Sequence, residues 1–316
     1  MSKRICIFGG SGFIGRSIVA QASEAGHQVT VACRHPEKAR SLLLVGANSL
    51  VKVDLCDGKG IEEAVGESDI VINLVGLLYE KGRYTFKNAH VHGTQHILSA
   101  CERAEVKQYL HMSALGVSED SDSLYSQTKA EAQACVRKST LAWTIFCPSV
   151  VYGARDQFIN KFSSLLKLAL IFPVFAANTR FQPVWVEDVA RAFVTSIGHK
   201  EVAQQSYDLV GSKTISLIEI MKMIMKAHGY CRLLLPVPHF AAKIAAKFFS
   251  LLPFPPLTSD QLRLLQQDNV SDQGFPAVFG QAAEFEVVLD SIVKGSNVQR
   301  LQDQLDEYRK VYWQDK

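Results

Sequence analysis

Gly9-Gly10-Ser11-Gly12-Phe13-Ile14-Gly15 lies between an apolar run, Ile5-Cys6-Ile7-Phe8, and an apolar-periodic stretch, residues 13–25. That order reads as strand, tight turn, helix, and it decides the fold class. Glycines three apart at such a junction let the chain turn sharply and let the backbone approach a pyrophosphate with no Cβ in the way. The free N–H groups and positive dipole end of the following helix suit the same anion. The spacing is G-x-x-G-x-x-G instead of G-x-G-x-x-G, and an ordinary glycine-rich turn is the plain alternative. A full βαβ unit directly downstream favours dinucleotide binding.

Working outward, strand patterns at 27–33, 49–54, 69–75, 108–112 and 143–147 alternate with helical patterns at 36–45, 61–65, 86–104 and 126–138. Such repetition predicts an α/β protein with a Rossmann-type doubly wound parallel sheet, whose ligands bind beyond the carboxyl ends of the strands. After Gly153 the alternation stops. A helix over 156–170 leads into a loop. A helix at 189–197 and a strand at 206–210 are expected to return to the main sheet. Helices are further expected at 216–228, 239–252, 258–267 and 299–312. The predicted division is therefore 1–153 as an NAD(P)-binding domain, joined by 184–210, with 154–183 and 211–316 as a smaller, mostly helical C-terminal domain for substrate or partner.

The totals agree with a folded enzyme-sized chain: 316 residues, 47% hydrophobic and 21% charged. A net charge of +3 without a dense Lys/Arg cluster argues against a dedicated nucleic-acid binder. Seven scattered cysteines with no C-x-x-C pair read as buried small residues in a reducing compartment, and no metal site is expected. The first strand begins close to Met1, so a cytoplasmic location without a leader is expected. The apolar stretches 165–177 and 240–257 are broken by Lys, Ser or Pro and fall short of the ~20 apolar residues of a membrane span. The second carries Lys243 and Lys247 four apart. It reads either as domain core or as a face for a membrane surface or a quinone-like substrate.

Cofactor choice is read at the end of the second strand. An acidic side chain there would hold the ribose hydroxyls of NAD(H), but the residues are Cys33-Arg34-His35. Arg34 is suited to a 2′-phosphate, so NADP(H) is expected ahead of NAD(H). Asp54, ending the third strand, is either an adenine contact or a turn former. Leu74-Val75-Gly76, ending the fourth, is either the adenosine and ribose side of the site or plain strand termination. Tyr125 and Lys129 stand four apart on one helical face, downstream of a strand-end Ser113. An ammonium there can lower the phenol's pKa and reach a nicotinamide ribose, which makes Tyr125 a candidate general acid or base.

These features together resemble the atypical or extended short-chain dehydrogenase/reductase family, of NAD-dependent epimerase/dehydratase type. The resemblance is nearest to the branch of the complex I alpha subcomplex subunit 9 and its bacterial relatives. It rests on His111-Met112-Ser113-Ala114-Leu115-Gly116, on Tyr125-Ser126-Gln127-Thr128-Lys129-Ala130-Glu131, on Pro148-Ser149-Val150-Val151-Tyr152-Gly153, and on Phe181-Gln182-Pro183-Val184-Trp185-Val186-Glu187-Asp188. It implies that Gly9, Ser11, Gly12, Phe13, Ile14 and Gly15 hold a pyrophosphate, Arg34 a 2′-phosphate, and Asp54 with Leu55 an adenine. Val75, Gly76, Tyr125, Lys129, Pro148 and Val151 would line the nicotinamide side.

Three departures bear on chemistry. Ala114 stands where the family's second Ser of a pair is usual, leaving Ser113 one residue off. His90 replaces the Asn of an N-V-x-G-T helix pattern, and Cys147 precedes Pro148 where Arg is usual. Besides a redox sensor that reads the NADPH/NADP⁺ ratio through closure of the C-terminal domain, two functions stay open on this reading. One is NADP(H)-dependent hydride transfer or an epimerase-type step on an unidentified, apolar or quinone-like small molecule, run by Tyr125, Lys129 and Ser113. The other is a non-catalytic, nucleotide-bound scaffold or assembly subunit of a complex I type membrane complex, with contact to the cytoplasmic side of a membrane. Relatives also form oligomers through helices such as 91–104, whose apolar positions otherwise face the sheet.

Overall fold

The computed structural model describes residues 2–237 and 259–293. The helices expected at 239–252 and 299–312, and the apolar stretch 240–257, lie outside the described residues. Strands β1 to β6 are Arg4–Phe8, Gln28–Cys33, Ser49–Lys52, Ile70–Asn73, Gln108–Met112 and Trp143–Pro148. Strands β7 to β10 are Val151–Tyr152, Ile171–Phe175, Arg180–Phe181 and Val184–Trp185, and β11 to β13 are Gln205–Leu209, Ile215–Ser216 and Leu233–Val237. Helices α1 to α7 are Phe13–Glu24, Ile61–Val65, Gly93–Arg103, Leu124–Lys138, Ile159–Leu168, Val186–Thr195 and Leu217–His228.

Seven strands form one parallel sheet in the order β3-β2-β1-β4-β5-β6-β11. The chain winds outward from β1 in both directions, so the crevice between β1 and β4 opens at their carboxyl ends. Both faces of β1 are covered, which is why its apolar run shows no alternation. Ile5 and Ile7 enter a core with α1 and α6, whereas Cys6 and Phe8 enter a second core with α2, α3 and α4. A carboxylate clasps the first layer: Ser17 and Gln21 of α1 both donate to Glu187 of α6, at 2.7 and 2.8 Å. The strand over 205–209 pairs with β6 and thereby extends the main sheet.

A third core gathers Tyr152, Leu166, Val174, Phe181, Met221 and Leu289. It is built on α5, α7, three two-stranded sheets (β7 with β10, β9 with β12, β8 with β13) and a helical segment at 285–293. Helix α7 starts on a capping box, with Ser216 accepting from Glu219 N–H while the Glu219 carboxylate reaches back.

Several local expectations are revised. Residues 36–45 form two tight 3-10 segments, Pro36–Lys38 and Arg40–Val45, because only Ala39 and Leu42 among them are buried and no apolar stripe sustains an α-helix. The helix expected over 86–104 contains a wide π turn, Lys87–His92, in which His90 is turned inward. Asp156 lies outside α5 and accepts the N–H groups of Gly153 and Ile159, so that helix begins three residues late. Residues 171–175, expected as loop, and 233–237, with no element expected, are paired strands. The helix expected over 258–267 ends early, at Leu264, and its described part begins at Ser259. The apolar positions of α3, Ile97, Leu98 and Cys101, are buried in the second core and so face the sheet.

Candidate functional site

The turn after β1 has the shape its glycines permit. Gly9 sits at φ +81°, and Gly12 N–H closes the turn on Gly9 O at 3.0 Å. A Cβ on Gly15 would lie 2.4 Å from Gly9 O and 2.5 Å from Gly10 Cα, so only glycine lets α1 pack this close to the turn. Phe13 turns its ring towards Gly153, and Ile14 packs on the first core.

Beyond the turn lies a cleft of about 240 Å³. Gly9, Ser11, Gly12, Arg34, Leu55 and Leu74 line it, together with Val75 and Gly76. At its rim the Arg34 guanidinium lies over the Tyr84 ring, 4.6 Å from the centroid. Tyr84 is held in turn by Asp54, whose carboxylate accepts from Tyr84 Oη at 3.0 Å, from Cys56 N–H and from Arg83. Asp54 therefore acts as the anchor of this wall, and no acid faces Arg34 from its own strand end. Behind Val75, Asn73 donates to Thr94 and Tyr109 and accepts from Val75 N–H at 3.0 Å, which fixes the exit of β4.

The other half of the predicted site is a buried polar layer between β5 and α4. Lys129 is 2% exposed, and its ammonium donates to Met112 O at 2.6 Å. Desolvation lowers its pKa to about 8. Tyr125 meets Phe86 and His90 edge-on, with ring centroids 5.9 and 5.5 Å away. Burial pushes its phenol up to about 12, and the nearby Asp260 carboxylate adds to that. Asp260 accepts from Ser123 Oγ and Leu124 N–H at the start of α4, so the short 259–264 helix clamps the helix that carries Tyr125.

His90 accepts from Leu77 N–H through Nε2, at 3.0 Å, and meets Thr128 Oγ1 through Nδ1, at 2.9 Å. With Nε2 accepting, the proton belongs on Nδ1. Burial first, then the Lys129 charge, brings this imidazole down to about 2, so it stays neutral. Leu77 lines the cleft, and His90 thus bridges the cleft to the Tyr125 layer.

Ser113 is buried and its hydroxyl accepts from Gln133 Nε2 at 2.6 Å. Gln133 is two helical turns beyond Tyr125, about 12 Å along the axis, so this hydroxyl is directed away from the phenol's end of the helix. His111, on β5, has no hydrogen-bond partner at either ring nitrogen, and burial holds it neutral. Pro148 ends β6 and accepts from Leu115 N–H, and Val151 packs on the first core. The cleft thus collects Gly9, Ser11, Gly12, Arg34, Leu55 and residues 74–76, but not Phe13, Ile14, Gly15, Asp54, Tyr125, Lys129, Ser113, Pro148 or Val151. Tyr84, Cys56, Leu77 and Asp260 were not among the sequence-read site residues. They sit in loops or a short helix, where no periodicity marks them.

Among the described residues no group of His, Cys, Asp and Glu could hold a metal, and no helix is long and apolar enough to cross a membrane.

A family model described as NAD(P)H-binding matches residues 9–157. NADH dehydrogenase [ubiquinone] 1 alpha subcomplex subunit 9 of Arabidopsis thaliana is 33% identical over 274 residues, covering 83% of this chain and 68% of the plant protein. The photosystem II assembly factor Ycf39 of Synechocystis is 24% identical over 260 residues, covering 82% and 78%. In fold, UDP-glucose 4-epimerase of Thermotoga maritima superposes with a TM-score of 0.72 at 15% identity, covering 94% of this chain and 99% of the enzyme. With its seven-stranded parallel sheet and glycine turn, the chain belongs to the NAD(P)-binding, epimerase/dehydratase-like family, in the branch of the complex I alpha subcomplex subunit 9.

Proposed function

We propose that the protein is an NADP(H)-bound scaffold or assembly subunit of a membrane redox complex, in which the nucleotide serves structure and not turnover. The observation that carries this reading is the state of the Tyr125–Lys129 pair. A phenol that exchanges a proton near neutrality needs its pKa lowered by an adjacent cation. Here burial and Asp260 raise it to about 12, and the Lys129 ammonium is bonded to Met112 O. The hydroxyl of Ser113 is held by Gln133, and Ala114 supplies none. The names of the relatives, a complex I subunit and a photosystem assembly factor, agree with a role beside membrane complexes.

Within this reading the turn at 9–15 would hold the pyrophosphate, Arg34 on its Tyr84 platform the 2′-phosphate, and Lys129 the nicotinamide ribose. The nucleotide would supply no redox step. Residues 154–183 and 211–316, of which the described ones surround the third core, would form the partner-facing unit. Tyr125→Phe tests the proposal. It is expected to leave NADPH affinity and association with the partner complex unchanged. NADPH oxidation by quinones or carbonyl compounds that falls by orders of magnitude in Tyr125→Phe overturns it in favour of the enzyme reading.

A further inference from the structure

Acidic residues are absent from two stretches of this sequence. Residues 157–186 and 220–259, two runs of 30 and 40, hold none of the 31 Asp and Glu, yet carry eight of the 34 Lys and Arg. The fold brings these distant runs together. Strand β8, from the first, pairs with β13, from the second, in the register Ile171↔Leu233 and Pro173↔Leu235.

The two faces of this ribbon differ in what they meet. Val174, Phe172 and Leu234 turn into the third core. Ile171, Pro173, Leu233 and Leu235 turn outward, and all four are exposed. A strand pair with one solvated face normally alternates apolar inside with polar outside. This outward face carries no polar side chain. Leu168 and Leu170, just before β8, extend it and are 85% and 74% exposed. Lys167 stands beside them, exposed. Arg232 ties the ribbon to the end of α5, donating to Leu166 O at 2.9 Å, so the apolar face is held on the folded body. The sequence leaving β13 continues acid-free and apolar, with Lys243 and Lys247.

A contiguous exposed apolar face flanked by cations, with no anion in either run that builds it, has the chemistry of an interfacial membrane site. The geometry points to the outer face of the β8–β13 ribbon, with Leu168 and Leu170, as a docking surface for an anionic phospholipid bilayer. The bilayer is favoured over a second copy of the chain because two copies would oppose cation to cation across this face. The inference deepens the scaffold reading and rests on it for its purpose, since a subunit serving a membrane complex needs to be held at the bilayer.

The test uses the full chain with sedimented vesicles of phosphatidylcholine alone or mixed with phosphatidylglycerol, and calorimetric NADPH binding on the same samples. Binding only to the anionic vesicles, weakened by salt, is expected. Lys167→Glu should weaken it about fivefold for the cation lost, and more for the charge reversed. Leu170→Asp with Leu235→Asp should weaken it at least about tenfold by removing apolar contact. Lys200→Glu, on a different segment, should change it little. NADPH affinity should be unaltered throughout, so loss of nucleotide binding would count against the scaffold reading alone.

Absence of vesicle binding by the unaltered protein overturns the inference. So does equal binding to both vesicles, or binding undiminished in the double variant. A dimer that the same variant dissociates, without vesicle binding, would assign the face to a second copy. A drop in melting temperature with vesicle binding unchanged would assign it to the chain's own 238–258 segment. Lys167→Glu, at an exposed helix end, keeps the test readable if the double variant folds poorly.

Discussion

Arg34→Ala is the most discriminating perturbation of the cofactor site. Its guanidinium lies 4.6 Å over the Tyr84 ring at the rim of the cleft, and Asp54 orients that ring. Hydrogen bonds to a charged partner contribute about 1.5–3 kcal/mol each, and an exposed rim position places this one in the lower half, near 1.5–2 kcal/mol. At about 1.4 kcal/mol per factor of ten, NADPH should bind roughly 10- to 30-fold more weakly to the variant. NADH lacks the 2′-phosphate and should change by less than about twofold. Tyr84→Ala removes only the platform, at roughly 0.5–1 kcal/mol, or about two- to fivefold. If the ring acts through Arg34, the double variant should bind NADPH no worse than Arg34→Ala alone. Calorimetry with NADPH, NADP⁺, NADH and NAD⁺ at low and physiological salt reads all of these, and higher salt should narrow the difference. Equal losses for NADPH and NADH, or tighter binding of NADH by the unaltered protein, would refute the reasoning.

Gly12→Asp should abolish nucleotide binding while lowering the melting temperature little. Its Cβ would meet Gly9 O at 3.2 Å, and its carboxylate would oppose the phosphates; calorimetry and thermal melts check both. Gly15→Ala, whose Cβ would meet backbone at 2.4 Å, should instead destabilise the fold by about 1–3 kcal/mol or more in urea titrations. Ser113→Ala leaves Gln133 Nε2 short of its 2.6 Å acceptor and should cost about 1–3 kcal/mol in the same titrations, with NADPH affinity kept. Lys129 has a folded-state pKa of about 8 against an ordinary 10.5, so between those values the unfolded chain binds the extra proton. Stability should then rise by roughly 3 kcal/mol as pH passes from 8 to 10.5, and Lys129→Met should remove most of that rise.

The parallel sheet was legible because buried strands are continuous apolar runs and the intervening helices have their own period, as in Ile5–Phe8 followed by the stripe of Ile18, Val19 and Ala22. The turn was legible because Gly9 and Gly15 each answer a backbone demand that no other residue meets. What sequence could not give were the partners of polar side chains. Ser113 and Gln133 are 20 residues apart, Asp54 and Tyr84 are 30 apart, and Ser123 and Asp260 are 137 apart. Each pair forms only once the sheet order is set. The β8–β13 ribbon was missed for another reason. Residues 165–177 are apolar on both sides of the strand, so neither period appears, and that lack of alternation is the property that leaves an apolar face outside.

In the scaffold reading, the polar layer under α4 would give the nucleotide a structural task. Lys129 has one acceptor, Met112 O, for three donor hydrogens, and His111 has none at either nitrogen. A buried cation so sparsely satisfied destabilises the fold, and an apolar residue of similar size would serve packing better. Retaining Lys129 is therefore consistent with a ligand that completes its shell, and ribose hydroxyls are acceptors of the right kind. In the scaffold reading, this makes the nucleotide part of the fold: saturating NADPH should raise the folded-state pKa of Lys129 and flatten the pH dependence of stability between 8 and 10.5. An enzyme that releases its cofactor each cycle gains little from that coupling. A subunit that holds one nucleotide for its lifetime would gain a reason to keep a buried lysine beside Tyr125, whose phenol burial pushes up to about 12.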